Sequence, residues 1–205
     1  MEILKKSVLV ILLFGLQLVN AQDQKTIQDA FSKSYTLETG LKYNEAIETL
    51  KGLNSVENYP VQLRLGWLLY SAKRYTESVA AYKKACEIMP ASVEPLLASV
   101  NPLAVQKKWD EVEKIHLAIL KIDPKNSITN FRLGQIYYNK KEYAKAEKYF
   151  STSLNLYPFD YDSMLMSGWN YYFLGKYSEA KELFNRVLLY SPSDASAKEG
   201  LGLIK

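Results

Sequence analysis

The residues that most often carry chemistry are scarce in this chain. There is one histidine, His116, and one cysteine, Cys86, so no Cys/His zinc set can be assembled. Cys86 stands in the apolar helical pattern A-C-E-I-M. That context reads as a buried small hydrophobe, with an interchain disulfide as the alternative. Asp110, Glu111 and Glu113 share a stretch with lysines and read as solvated charges on a helix surface rather than an acid–base pair. No convergent set of titratable groups emerges, so neither catalysis nor a cofactor is expected. The lysines do recur in a pattern, at Lys42, Lys73-Arg74, Lys107-Lys108, Lys140-Lys141 and Lys176. Two readings fit them: an edge that meets an anionic partner, or cations that neutralise the carbonyl ends of helices.

The elements that must position such residues begin after a distinct leader. Two lysines in MEILKK are followed by the apolar run VLVILLFGLQLV and a small residue, Ala21. This is the layout of a secretory signal peptide over 1–21, with an uncleaved anchor as the weaker alternative. Export to the periplasm or beyond the cell is the expectation. Without the leader, residues 22–205 carry 24 basic and 21 acidic side chains. That near balance argues against nucleic acid as a partner. A hydrophobic content of 48% with 23% charged residues is a globular composition and excludes a disordered chain.

The organisation is repetitive. Pro90, Pro124, Pro158 and Pro192 fall 34 residues apart, and so do Tyr75, Trp109, Tyr143 and Tyr177. Gly66, Gly134, Gly168 and Gly202 keep the same phase, with Ser34 and Val100 in the equivalent places. Within a unit, Leu133, Gly134 and Tyr137 keep helical spacing, as do Ala146, Phe150 and Leu154. Each unit therefore reads as two helices joined by a short polar turn and closed by proline, which cannot continue the hydrogen-bond ladder. Ser92, Asn126, Asp160 and Asp194 are placed to cap the following helix. The glycine predicts a close approach between the two helices of a hairpin. In the third unit Pro102 falls inside the predicted first helix, which should kink or end early there. That departure is either tolerated drift or a bend that reshapes a binding surface. Val100, replacing the small residue, predicts a looser hairpin.

These landmarks resemble the tetratricopeptide repeat, a 34-residue helix–turn–helix with a small residue in each helix, an aromatic at the turn and a closing proline. The resemblance covers about 27–58, 59–92, 93–126, 127–160 and 161–194, with 195–205 as a capping helix. It implies an all-α, right-handed α-solenoid. His116 takes a position that is aromatic in such repeats, which implies a packed imidazole. Gly200-Leu201-Gly202 belongs to the repeat signature and not to a phosphate loop.

In such arrays the first helices line a concave face where peptides or helices lie. By register this face would present Phe31 and Tyr35, then Leu63, Arg64, Trp67 and Tyr70. Leu97 and Asn101 follow from the third unit, and Phe131, Arg132, Gln135 and Tyr138 from the fourth. The fifth gives Leu165, Trp169, Tyr172 and Phe173. Family members that clamp a carboxy-terminal carboxylate use basic residues over three units. Here Phe31, Leu63, Leu97 and Phe131 stand where the first would be, so no such clamp is implied. The expected function is a non-catalytic scaffold that holds a protein or peptide partner, an envelope or outer-membrane protein, in an aromatic groove. A glycan-binding module using the same rings is the alternative.

Overall fold

The computed structural model describes residues 24–53 and 58–204; the leader read over 1–21 lies outside them. Among the described residues there is helix and no strand. The chain divides into two compact units, 1–90 and 91–205. The first holds α1 (24–39), α2 (Tyr43–Lys51), α3 (Tyr59–Ser71) and α4 (Tyr75–Ile88). The second holds α5 (Glu94–Val105), α6 (Trp109–Ile122), α7 (Ser127–Asn139), α8 (Tyr143–Leu156), α9 (Tyr161–Phe173), α10 (Tyr177–Tyr190) and α11 (Ala195–Leu203). Within each unit, connections this short make successive helices antiparallel neighbours.

The start of each first helix follows the expected chemistry, with one exception. Asn126, Asp160 and Asp194 accept hydrogen bonds from the backbone N–H of Thr129, Ser163 and Ala197 at 3.0, 2.8 and 2.7 Å. Asn58, which the sequence reading passed over, does the same for Val61 at 3.2 Å. Ser92 is not a cap. Helix α5 begins one residue later, at Glu94 with Pro95 in its first turn, and Val93 takes the cap position. Pro102 does not end α5 early either. The helix runs to Val105, in register with the ends of α3, α7 and α9. Proline there removes one backbone donor, but the ladder resumes and the Gln106 N–H reaches the Pro102 carbonyl at 3.3 Å.

The turns inside the hairpins share one geometry. Leu41, Lys73, Lys107 and Lys141 have φ near 60° (58, 61, 58 and 60°), and Gly175 has 74°. At each, two carbonyls of the preceding helix are recovered. In the fourth hairpin Lys141 N–H bonds Tyr138 O at 2.8 Å and Glu142 N–H bonds Tyr137 O at 2.9 Å. This is the Schellman arrangement, for which glycine is the favoured residue. Lysine holds the left-handed position at a steric cost of about 1 kcal/mol. Lys141→Gly is therefore expected to raise stability by about 0.5–1 kcal/mol in a urea melt, and Gly175→Ala to lower it by a similar amount. Unchanged midpoints in both would show that the turns carry no backbone strain.

These turns also revise the lysine pattern. Lys73, Lys107 and Lys141 do follow the carbonyl ends of first helices, but Lys42, Arg74, Lys108 and Lys176 are N-caps of second helices. A cation is unfavourable at that end. The compensation for the first three is a glutamate three residues on: Lys42–Glu45 at 3.6 Å, Arg74–Glu77 at 2.6 Å and Lys108–Glu111 at 3.4 Å.

The second, fourth and fifth hairpin cores are each built on one contact. Gly66, Gly134 and Gly168 lie against the rings of Tyr82, Phe150 and Phe184, and a Cβ on any of them would come within about 3 Å of the ring. The glycine thus admits an aromatic side chain of the second helix. Gly200, not Gly202, is the buried glycine of α11: it meets the opposite side of Phe184, whereas Gly202 has open space around it. Ile47, Leu50 and Leu68 fill the core of the first unit, and Leu133, Met164 and Val187 are among the fully buried residues of the second.

Candidate functional site

In the first unit, the faces of α1 and α3 carry a connected cluster of polar and aromatic groups. Arg64 is 7% exposed and pairs with Glu38 at 2.6 Å. Its Nε donates to Ser34 Oγ at 3.1 Å, and its guanidinium lies 3.7 Å from the centre of the Tyr35 ring. The Trp67 indole N–H donates to the other Glu38 oxygen at 2.5 Å. Burial would raise the Glu38 carboxyl, but the hydrogen bonds from Trp67 and Arg64 outweigh it and hold the group below its ordinary range. Arg64 is thus committed inside the protein, while Tyr35 and Trp67, 54% and 46% exposed, face solvent. Phe31 and Leu63 are half-buried, with Phe31 against the core, and Tyr70 packs on Tyr75 at 5.9 Å. Glu38 was not singled out in the sequence, and Ser34 was read there only as the small residue of its repeat. The signal was available, since both lie on the face of α1 that carries Phe31 and Tyr35.

In the second unit, the candidate residues divide. Tyr138 packs edge-on against the turn ring of Tyr143 at 5.6 Å and against Phe173 at 5.8 Å, and Tyr143 stacks on Phe173 at 4.9 Å. Trp169 lies edge-on to Phe184 at 5.2 Å and donates to Ser196 Oγ at 2.9 Å, while Tyr172 packs on Tyr177 at 5.7 Å. These rings do structural work within the unit. Phe131 and Leu165 rest against core clusters and Leu97 is half-buried. Phe173 remains 47% exposed. Arg132 is exposed and donates to Gln135 Oε1 at 2.9 Å, and Asn101 is exposed.

Asn101, Arg132 and Gln135 meet at a cavity of about 560 Å³ among α5, α6 and α7. Its walls include Val100, Ala104, Val112 and Ile136; His116 lines it, and Trp109, Asp110, Asn139 and Lys140 lie towards the turns. His116 is 2% exposed and its Nδ1 has no hydrogen-bond partner among the described residues. Burial, helped by the Arg132 charge, pushes the imidazole down to about 4, so it is neutral at physiological pH. It is a packed imidazole, but one that borders a void. Glu113 is also more engaged than the sequence implied. It pairs with Lys140, and that bond holds its carboxyl below the usual range. Glu147, one repeat further on, pairs in the same way with Lys176 at 2.6 Å. Cys86 is half-buried, and burial pushes its thiol up, away from the reactive thiolate. Among the described residues no group of three or more His, Cys, Asp or Glu side chains could hold a metal ion. No described helix is long and apolar enough to cross a membrane.

Family models for the tetratricopeptide repeat match residues 59–92, 128–160 and 165–204. The chain belongs to the tetratricopeptide repeat family. A curated relative of this tetratricopeptide repeat protein is superkiller protein 3 of Schizosaccharomyces pombe, 24% identical over 189 residues. The match covers 88% of this chain but only 12% of that relative's length. Among solved structures, a tetratricopeptide repeat protein from Parabacteroides merdae superposes with a TM-score of 0.72 at 19% identity, over 86% of this chain and 71% of the other. MamA from Desulfovibrio magneticus gives 0.67 at 16%, over 83% and 97%. YrrB, described as a TPR protein with an unusual peptide-binding site, gives 0.65 at 14%, over 85% and 91%. At these identities the likeness is one of fold, and it agrees with the all-α repeat architecture.

Proposed function

We propose that this chain is a non-catalytic scaffold that holds a polypeptide partner on the faces of its first helices, within the cell envelope of a bacterium. The observation that carries the reading is the cluster around Glu38. It fixes two exposed rings in place, Trp67 through its N–H and Tyr35 through the cation beneath it. Exposed aromatic side chains that are already ordered lose little entropy on binding, and Trp and Tyr are the residues that most often dominate interface energies. The fold adds support, because a repeat protein of the same architecture, YrrB, is described as having a peptide-binding site. The envelope location rests on the leader sequence over 1–21.

The test is crosslinked capture from envelope extract with the wild-type chain and with Tyr35→Ala, Trp67→Ala, the variant first being shown to keep the wild-type helical spectrum and melt. One polypeptide held by the wild type and depleted about tenfold or more with the variant is the expected result. Equal capture by both removes the first-unit rings from the site. Capture abolished by soluble cell-wall sugar would transfer the same rings to a glycan.

A further inference from the structure

The third repeat differs from the others at the positions that border its cavity, and the other repeats show what is missing. The residue at the end of the first helix is Tyr70, Tyr138 and Tyr172 in three repeats, and each packs on the turn aromatic of its own hairpin, at 5.9, 5.6 and 5.7 Å. In the third repeat that residue is Ala104, and the turn aromatic, Trp109, is 60% exposed with no ring against it among the described residues. One turn earlier, Asn101 stands where Trp67, Gln135 and Trp169 stand elsewhere. In the second helix, the ring of Tyr82, Phe150 or Phe184 is replaced by the smaller His116. Three shortened side chains converge on one volume of about 560 Å³, bordered by apolar wall and by a buried imidazole whose Nδ1 is unsatisfied. The cavity opens to solvent past Asn101, Trp109 and Arg132, so a ligand can enter it, and a buried polar atom such as this Nδ1 is not ordinarily left without a partner.

We infer that this cavity receives an aromatic side chain of the partner polypeptide, a phenol ring that stacks on Trp109 over Ala104 and takes the place that tyrosine fills in the sister repeats. This deepens the scaffold reading and rests on it. The wall fits such a ring: Val100, Ala104 and Ile136 supply apolar surface. Asp110, Asn139 and Lys140, towards the turns, offer hydrogen-bonding partners to a hydroxyl, as ligand pockets do with a few polar groups in an apolar lining. Tyrosine is favoured over an aliphatic chain because the unpaired surface is itself an aromatic face, and ring pairs gain beyond their buried area.

The test uses p-cresol, the side chain of tyrosine, titrated into the full-length chain by calorimetry and by ligand-observed NMR. Saturable binding with a dissociation constant of about 1 mM is expected for so small a ligand. Ala104→Tyr restores the sister-repeat residue and so fills the cavity by a pattern the fold already uses. It is expected to keep the helical spectrum, raise the melting temperature and weaken p-cresol binding about tenfold or more. Leu189→Ala, at an exposed residue of α10 outside either site, is expected to leave that binding unchanged. Absence of saturation in the wild type, or undiminished binding in Ala104→Tyr, overturns the inference. N-acetyl-tyrosine amide is expected to bind within about threefold of p-cresol; binding of p-cresol alone would overturn the polypeptide as the source of the ring. Failure here, with partner capture still lost on removing Tyr35 and Trp67, would leave the scaffold reading standing without this pocket.

Discussion

Replacing Phe184 by alanine is expected to destabilise the second unit by about 3–5 kcal/mol, the range for removing a fully buried aromatic ring. The ring is 0% exposed and is held from two sides by residues that have no side chain of their own, Gly168 and Gly200. Neither glycine can extend to fill the void, and Trp169, edge-on at 5.2 Å, is tethered to Ser196. Collapse of the site is therefore limited, which places the cost towards the upper end. Urea denaturation gives the number. Hydrogen exchange locates it, because α11 loses the surface it rests on and its amides should exchange faster. Leu189→Ala, at a residue 74% exposed in the same helix, is the comparison and should cost less than about 0.5 kcal/mol. Similar costs at the two sites would show that the glycine–phenylalanine contact is not what closes the last hairpin.

Acid should destabilise the second unit through His116. The imidazole titrates at about 4 in the folded chain, against an ordinary value of 6.5. Between these values the unfolded chain binds the proton and the folded chain does not, so stability falls as pH is lowered. The contribution is fully present above pH 6.5, declines through the window and is gone below pH 4. At pH 4.5 the loss should reach about 2–3 kcal/mol, at 1.36 kcal/mol for each unit between the unfolded value and the working pH. His116→Phe restores the aromatic type found at 150 and 184 and removes the group that titrates. Urea midpoints at pH 7 and pH 4.5 should then differ less for the variant than for the wild type. Equal losses would assign the acid limb to carboxylates such as Glu38, Glu113 and Asp194. Each of these is held below its ordinary range by its partners and also loses stabilisation as pH falls.

The periodic features of this protein were legible in its sequence because they depend on local rules. Proline interrupts the backbone ladder, aspartate and asparagine cap the helix that follows them, and glycine at a fixed phase marks where two helices come close. Those rules placed the hairpins and a close approach at Gly134, where the structure puts the Phe150 ring. They failed at Pro102, where neighbouring turns carry α5 past a missing donor, and at Ser92, where Pro95 draws the helix start one residue on. They could not divide the aromatic residues of the first helices into exposed and packed sets. Trp67 and Trp169 occupy the same position of the repeat, yet one is pinned by Glu38 at the surface and the other packs against Phe184. That division depends on residues of other helices, which only the folded chain brings close. The cavity is the same lesson in reverse. Ala104 drew no notice in the sequence, Asn101 and His116 were read there for other reasons, and the register shows each to be smaller than most of its counterparts in the other repeats. Only the packing of α5, α6 and α7 reveals that the three shortened side chains border one space, because no neighbour has moved in to fill it.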